Sequence, residues 1–397
     1  MTTTITVPPA ATQPPLAKDV LLEVSHLKKH FPIVQGIFNS VKGSVKAVDD
    51  LSFYISKGET LGLVGESGCG KTTAGRCIVR AYPVTSGQMF YRQANGSMVD
   101  LAAVPQQELG PFRRDIRMIF QDPYSSLNPR MNVFQNVSEV LRVNKVCPSS
   151  EMKDRVAALL RRVGLRPEYM QRYPHAFSGG ERQRIVIARA LVTNPRLVVC
   201  DEAVSALDVS IRAQILNLLE ELQTDFDLTF LFISHDLSVI RHICNRVVVM
   251  YVGKVVEIAD ALDLYTDPQH PYTEALLSSV PLAQPIGREN RKRIHLLGEI
   301  ADPSNPPSGC YFHPRCRFAQ QICRERTPEL RKVKGNHAVA CHFAEELSLS
   351  GVIAGGGGAQ LTAPRRPGSY AFRLRYEQAL GAARAVAYFT RVGDGAV

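Results

Sequence analysis

The run Gly65-Glu66-Ser67-Gly68-Cys69-Gly70-Lys71-Thr72-Thr73 has the residue types and spacing of a phosphate-binding loop. Its glycines let backbone N–H groups turn inward around an anion. Lys71 would reach the β and γ phosphates and Thr72 would place its hydroxyl on Mg²⁺. The N-terminus of the helix that follows adds its partial positive charge. Two carboxylates, Asp201 and Glu202, end an apolar stretch that begins near Arg196. At such a place Asp201 can hold Mg²⁺ through water and Glu202 can polarise an attacking water. His235 sits just past a third apolar run, in Ser234-His235-Asp236, and Ser178-Gly179-Gly180-Glu181 opens a helical stretch with a capping serine and two free-donor glycines. The chemistry these groups share is hydrolysis of a nucleoside triphosphate.

Something must bring those pieces to one place. Thr60 to Val64 reads as the strand that feeds the loop, and Thr72 to Arg80 as the helix that leaves it. Short strands are predicted at Val20 to Val24, Leu27 to Phe31 and Ser44 to Ile55, with an insertion at Ile33 to Gly43, forming an antiparallel sheet beside the nucleotide. From Tyr82 to Asp115 the pattern weakens into edge strands and loops. Ile116 to Gln121 is an apolar strand ending in a glutamine, and Asp122 to Pro129 a rigid surface loop. Helices follow at Glu151 to Val163, with Ser150 a cap and Gly164 a stop, and at Arg182 to Thr193. Strands are expected at Arg196 to Cys200, Leu228 to Ile233, Arg246 to Val252 and Lys254 to Ile258, the last two hinged at Gly253. A helix after Ser205-Ala206-Leu207-Asp208 carries the stripe Ile215, Leu216, Leu218, Leu219 and Leu222. Strands alternating with helices predict an α/β fold with helices packed on a parallel sheet, which places ligands at the carboxyl ends of the strands.

The composition bounds the rest. A chain of 397 residues has room for two or three domains, and 47 Lys+Arg against 37 Asp+Glu gives a formal charge of +10, suited to nucleic acid, anionic lipid or a phosphate-rich ligand. No apolar run approaches the roughly 18 to 20 residues that span a bilayer, and residues 1–19 are Pro-rich and read as a disordered leader. The protein is expected to be cytoplasmic. Five cysteines are scattered, whereas Cys310, Cys316, Cys323 and Cys341 cluster, which suggests a metal site rather than disulfides. Gaps of five, six and seventeen residues match neither a zinc ribbon nor a ferredoxin run. Four thiolates suit [4Fe–4S] or Zn²⁺ equally by softness, and His313 and His342 are adjacent alternatives. Residues 351–397 carry six Arg and two acids and include the run Gly355 to Gly358. They read as a flexible tail with a short helix at Tyr376 to Phe389.

Taken in order, the phosphate loop, Gln121, Ser178-Gly179-Gly180, Asp201-Glu202, Ser205 to Asp208 and His235 resemble an ATP-binding-cassette (ABC) ATPase over residues 20–345. The resemblance implies a parallel sheet core, an antiparallel β subdomain, an α-helical signature subdomain and a small cysteine-containing C-terminal extension. It divides the chain into a leader at 1–19, an ATPase domain at 20–260, a C-terminal region at 261–345 and a tail at 346–397. It implies a head-to-tail dimer with ATP between one subunit's phosphate loop, residues Gly65 to Thr73, and the other's signature, Ser178 to Glu181, with Asp208 close by. Phe31 would stack on adenine, Gln121 would complete Mg²⁺ with Thr72 and Asp201 and sense a membrane partner, Glu202 would be the general base, and His235 would contact the γ phosphate.

Asp267-Pro268-Gln269-His270-Pro271-Tyr272-Thr273 and the later cysteines resemble the dipeptide and oligopeptide importers. That likeness favours [4Fe–4S] over Zn²⁺ at the four cysteines. It implies two permease subunits, a second and different ATPase subunit, an indirect solute-binding protein, and a peripheral place on the cytoplasmic face of the inner membrane, with no nucleic acid. The rival is a soluble ABC ATPase acting on nucleic acid or ribosomes. Two departures stand out: Glu181, where the family often has Gln, would set a carboxylate near phosphates and weaken the site that the signature completes, and Ala203 replaces the family's Pro.

Overall fold

The computed structural model describes residues 19–35, 40–280 and 293–352. Residues 1–18 of the expected leader and the helix at 376–389 lie outside them. Two sheets organise the chain. The first is antiparallel, in the order β2-β1-β4-β5, formed by β1 (Val20–Gln35), β2 (Ser40–Ser56), β4 (Ser86–Arg92) and β5 (Met98–Asp100). The second has eight strands in the order β11-β12-β10-β9-β3-β8-β7-β6. Its centre is parallel: β3 (Thr60–Val64) lies between β8 (Thr229–Ser234) and β9 (Arg246–Tyr251), followed outward from β8 by β7 (Leu197–Asp201) and β6 (Ile116–Ile119). Beyond β9, the strands β10 (Lys254–Asp260), β12 (His337–Val339) and β11 (Arg331–Lys334) pair antiparallel. Residues from the region beyond 260 thus extend the cassette's own sheet.

The parallel strands β3, β7 and β8 are buried along their whole length, and their period-two alternation divides their side chains between two cores. Leu61, Leu63, Val199, Leu231 and Ile233 face one side, where α1 (Lys71–Ile78) packs with the antiparallel sheet. Val198, Cys200, Phe230 and Phe232 face the other, with α4 (Val133–Val143), α5 (Ser149–Arg162), α6 (Gly179–Leu191), α7 (Val209–Phe226) and α8 (Leu237–Ile243) contributing to that core. The predicted stripe of α7 is buried there, every member. Short helices α2 (Gly110–Asp115) and α3 (Pro123–Ser126) flank β6, and α9 (Ala261–Thr266), α10 (Pro271–Ser278) and α11 (Gln321–Glu325) follow the last parallel strand.

The fold departs from the sequence reading at three places, the first being Ser150, which lies inside α5 rather than capping it, since the N-cap is Pro148. The three short strands predicted between Val20 and Ile55 are two long ones, and residues 33–35 and 40–43 of the supposed insertion continue their pairing, with Ile33 opposite Gly43 and Gln35 opposite Ser40. Register shifts between Val24 and Leu27 and between Lys29 and His30 break the alternation that would have revealed one strand. The expected rigid loop after Gln121 contains a single helical turn, α3, because Asp122 accepts hydrogen bonds from the N–H groups of Tyr124 and Ser125 and Pro123 opens the turn.

Candidate active site

The loop grows out of β3 and closes on the start of α1. Two of its glycines could carry no side chain. A Cβ on Gly65 would lie 2.1 Å from the Met250 carbonyl oxygen, and one on Gly70, which has φ +104°, 1.9 Å from that of Ala47. Lys71, 4% exposed, donates to the carbonyls of Gly65 and Glu66, both at 2.8 Å. The loop therefore wraps a buried ammonium, a ready attractor for phosphate. Thr72 Oγ1 donates to Asp201 Oδ1 at 2.9 Å, which joins the loop to the end of β7. Burial pushes the Asp201 carboxyl above its ordinary value, with the Thr72 hydrogen bond and Arg76 partly offsetting it. A divalent cation would offset the same penalty, so a hydroxyl and a buried carboxylate are the right donors for Mg²⁺ here.

Next to them, Glu202 occupies a left-handed backbone position, φ 49°, held by its N–H donating to Ile233 O of β8 and by Ser205 donating to its carbonyl. Its carboxylate is bracketed: Gln121 Nε2 donates to Oε2 at 2.6 Å, and His235 Nδ1 lies 2.9 Å from Oε1. The three residues lie one or two positions past the ends of β6, β7 and β8, and the parallel register delivers all three strand ends to one edge. The Glu202 side chain is 14% exposed and that of His235 54%, so a largely buried carboxylate sits beside a ring open to water.

Ser178, Gly179, Gly180 and Glu181 form the start of α6. No side-chain hydrogen bond joins them to the phosphate loop among the described residues. Ser178 caps α6, and the Glu181 carboxylate turns back to accept from the Ser178 N–H at 2.9 Å and its hydroxyl at 2.8 Å, a reciprocal capping box that holds the acid below its usual range. The carboxylate is thus engaged within its own helix turn. Gly180 packs so closely that a Cβ would meet Ile211 at 2.7 Å. Asp208 precedes α7 and is exposed. Phe31 lies opposite Val45, two residues from the Ala47 carbonyl that abuts Gly70, with Tyr82 edge-on at 5.7 Å. Ala203 is buried in the core shared by the helices, 2% exposed.

Two residues that sequence reasoning passed over touch the loop. The Tyr272 hydroxyl accepts from the Glu66 N–H at 2.8 Å, and Arg315 places two N–H groups on the Glu66 carboxylate at 2.7 and 3.1 Å. They lie 206 and 249 residues from Glu66, and no local signal carries such a pairing.

All nine cysteines are unpaired thiols. Cys310, Cys316, Cys323 and Cys341 line one cavity of about 20 Å³ with His313 and His342, and Cys310 N–H donates to Cys323 O at 2.8 Å. Burial pushes the Cys310 thiol up to about 12 and that of Cys341 to about 11, each raised further by the neighbouring thiols. The two histidines have ring nitrogens 3.0 Å from backbone carbonyls, His313 with Cys310 O and His342 with Arg326 O. Among the described residues no three His, Cys, Asp or Glu side chains are arranged to hold a metal ion. The convergence expected from the sequence is present; a ligand cage for an iron–sulfur cluster or Zn²⁺ is not.

Comparison with known proteins follows the same outline. The family model described as ABC transporter matches residues 48–205, and that of the oligopeptide/dipeptide transporter C-terminal region matches residues 256–323. The chain is 51% identical over 327 residues to the oligopeptide transport ATP-binding protein AppF of Bacillus subtilis (strain 168), covering 82% of this chain and 98% of the relative. It is 45% identical over 321 residues to the dipeptide transport ATP-binding protein DppF of Haemophilus influenzae, covering 81% and 96%. A dimeric ATP-binding cassette solved in a post-hydrolysis state with ADP and Pi superposes with a TM-score of 0.53 at 25% identity, over 61% of this chain and 99% of that one.

Proposed function

Since the chain belongs to the ABC family's ATP-binding proteins of oligopeptide and dipeptide transport, we propose that it hydrolyses ATP to power import of di- and oligopeptides through two permease subunits. The observation that carries the catalytic part is the bracketed carboxylate: Glu202 held between Gln121 and His235 at one strand edge, beside Lys71, Thr72 and Asp201. In this reading Lys71 and the loop N–H groups stabilise phosphate charge, and Glu202 takes the proton of the attacking water. His235, hydrogen-bonded to that carboxylate, keeps it oriented and reaches toward the γ phosphate. Thr72, Asp201 and Gln121 would hold Mg²⁺, which neutralises charge on the β and γ oxygens. Phe31 takes the adenine face.

Among the described residues no side-chain hydrogen bond ties Ser178 to Glu181 to this chain's own loop, which supports their serving the nucleotide of a second cassette. The capping box turns the Glu181 carboxylate back toward Ser178 without removing its charge. We assign the second cassette to a different ATPase chain. The protein then sits on the cytoplasmic face of the membrane, with the surface around Gln121 to Arg130 against the permeases. No helix among the described residues is long and apolar enough to cross a membrane. The rival reading, an ATPase working on nucleic acid or ribosomes, finds no counterpart in the transport relatives. Co-purification with permease subunits and ATPase activity abolished by Lys71→Ala test the assignment; salt-sensitive nucleic-acid binding without membrane partners would overturn it.

For the four cysteines we propose a soft-metal site, [4Fe–4S] before Zn²⁺, resting on four thiols that line one cavity, although they are not arranged as a ligand cage here. No catalytic step runs through it. Iron, sulfide and zinc determination on anaerobically purified protein decides it, and a metal-free, fully folded and active chain would remove the proposal.

A further inference from the structure

The phosphate loop is held from outside the cassette. Glu66 is fixed at three points: its carboxylate by Arg315, its N–H by the Tyr272 hydroxyl, and its carbonyl by Lys71 Nζ. The first two come from the C-terminal region. The Arg315 side chain is 7% exposed and that of Glu66 24%, so this two-pronged contact is shielded from water and screened little by salt. The Glu66 hydrogen bonds, ahead of its charge, raise the Arg315 pKa.

Arg315 itself is rigidly carried. It ends the 3₁₀ turn His313–Arg315, which hangs between Cys310 and Cys316 through hydrogen bonds from His313 N–H to Cys310 O and from Cys316 N–H to His313 O. Phe312, 2% exposed, anchors that turn with ring centroids 5.3 Å from Tyr251, 5.4 Å from Tyr272 and 5.7 Å from His270. Tyr251 ends β9, the strand beside β3, and its ring lies 6.0 Å from the Arg315 guanidinium carbon. The same aromatic cluster therefore positions both groups that grip Glu66.

We propose that Arg315 and Tyr272 are positioning residues of the nucleotide site: the C-terminal region clamps the phosphate loop through Glu66 and so sets how tightly this chain holds ATP. The inference rests on the nucleotide reading of the loop given above. Without the clamp, Glu66 must be ordered when nucleotide binds, and its carboxylate stands unneutralised beside incoming phosphates. Both effects weaken binding and leave Glu202 and His235 untouched, so KM rises while kcat holds.

The test uses the full-length chain, equilibrium binding of a fluorescent ATP analogue with Mg²⁺, and steady-state hydrolysis. Arg315→Ala is expected to weaken nucleotide binding about 3- to 10-fold, the scale of ordering one loop side chain and more, with Arg315→Lys intermediate. KM should rise in step and kcat stay within about twofold. Glu66→Gln/Arg315→Ala should bind no more weakly than Arg315→Ala alone, because Arg315 acts through Glu66. Should Arg315→Ala fail to fold, Arg315→Lys and Tyr272→Phe, which keep their volume, carry the same expectation of a raised KM. Wild-type affinity in the folded Arg315 and Tyr272 variants, or losses that add in the double variant, overturns the clamp. Lys71→Ala serves as the control: if it too binds like wild type, the reading of the loop has failed rather than the clamp.

Discussion

Replacing Glu202 by Gln preserves the shape of the side chain at the end of β7 and removes its capacity to take a proton. The amide can still accept from Gln121 or His235 through its one oxygen, so the bracket at 2.6 and 2.9 Å loses one contact and the backbone, tied to Ile233 and Ser205, stays in place. A positioned general base contributes about 10²- to 10⁴-fold, so hydrolysis should fall by at least about 100-fold, roughly 2.7 kcal/mol of barrier. Nucleotide affinity should hold, because Lys71, Thr72 and Asp201 are untouched and a negative charge near the γ phosphate has gone. The orienting groups should rank lower: Gln121→Ala and His235→Ala each remove one hydrogen bond to a charged carboxylate, worth about 1.5–3 kcal/mol when the carboxylate is buried, and both donors are exposed, which places them at the lower end. Single-turnover hydrolysis by the reconstituted transporter, with ATP binding measured in parallel, provides the ranking. Hydrolysis by Glu202→Gln within threefold of wild type, or a larger loss from Gln121→Ala than from Glu202→Gln, would refute the assignment of Glu202 as base.

Three further outcomes follow from the structure. Gly70→Ala should abolish nucleotide binding and lower stability by at least about 2 kcal/mol, since its Cβ would meet the Ala47 carbonyl at 1.9 Å with φ at +104°; urea unfolding and ATP binding check both halves. His270, wholly buried between the Phe312 ring and the Tyr272 N–H it caps, is pushed down to about 3 by burial, while Glu257 accepts from the His270 N–H at 3.1 Å and lies 2.6 Å from His337. A histidine kept neutral by the fold contributes stability that is full above the unfolded value near 6.5 and is lost as pH falls from there toward about 3. The melting midpoint of wild type should therefore drop more steeply between pH 7.5 and 5 than that of His270→Asn, which keeps a capping acceptor without the titration. Truncating the Phe312 anchor to Ala should cost about 3–5 kcal/mol by opening a cavity among Tyr251, Tyr272 and His270, read by denaturant midpoint.

The clustering of these side chains at one sheet edge was legible because its pieces are contiguous strings at strand ends: Lys71-Thr72 after β3, Asp201-Glu202 closing β7, His235 just past β8. Each announces itself by chemistry in a few residues, and parallel register does the gathering. The capping role of Ser178 was equally local. The fate of Glu181 was harder, because a carboxylate at the third helical position serves either a capping box or a ligand, and geometry chose the former. The hairpin of β1 and β2 hid behind its bulges, which interrupt the two-residue period on which strand recognition depends. Tyr272 and Arg315 lay beyond sequence reasoning for a different reason. A tyrosine in a proline-flanked helix start and an arginine between cysteines gain a role only when the C-terminal region folds back against the tip of β3.

Peptide uptake by cells lacking this chain, complemented with wild type or with Lys71→Ala, tests the central claim most directly, with permease subunits followed by co-purification. The account predicts that wild type restores uptake and carries the permeases with it, while Lys71→Ala carries the permeases and restores nothing. Undiminished uptake in the deletion strain, or full rescue by Lys71→Ala, would contradict it.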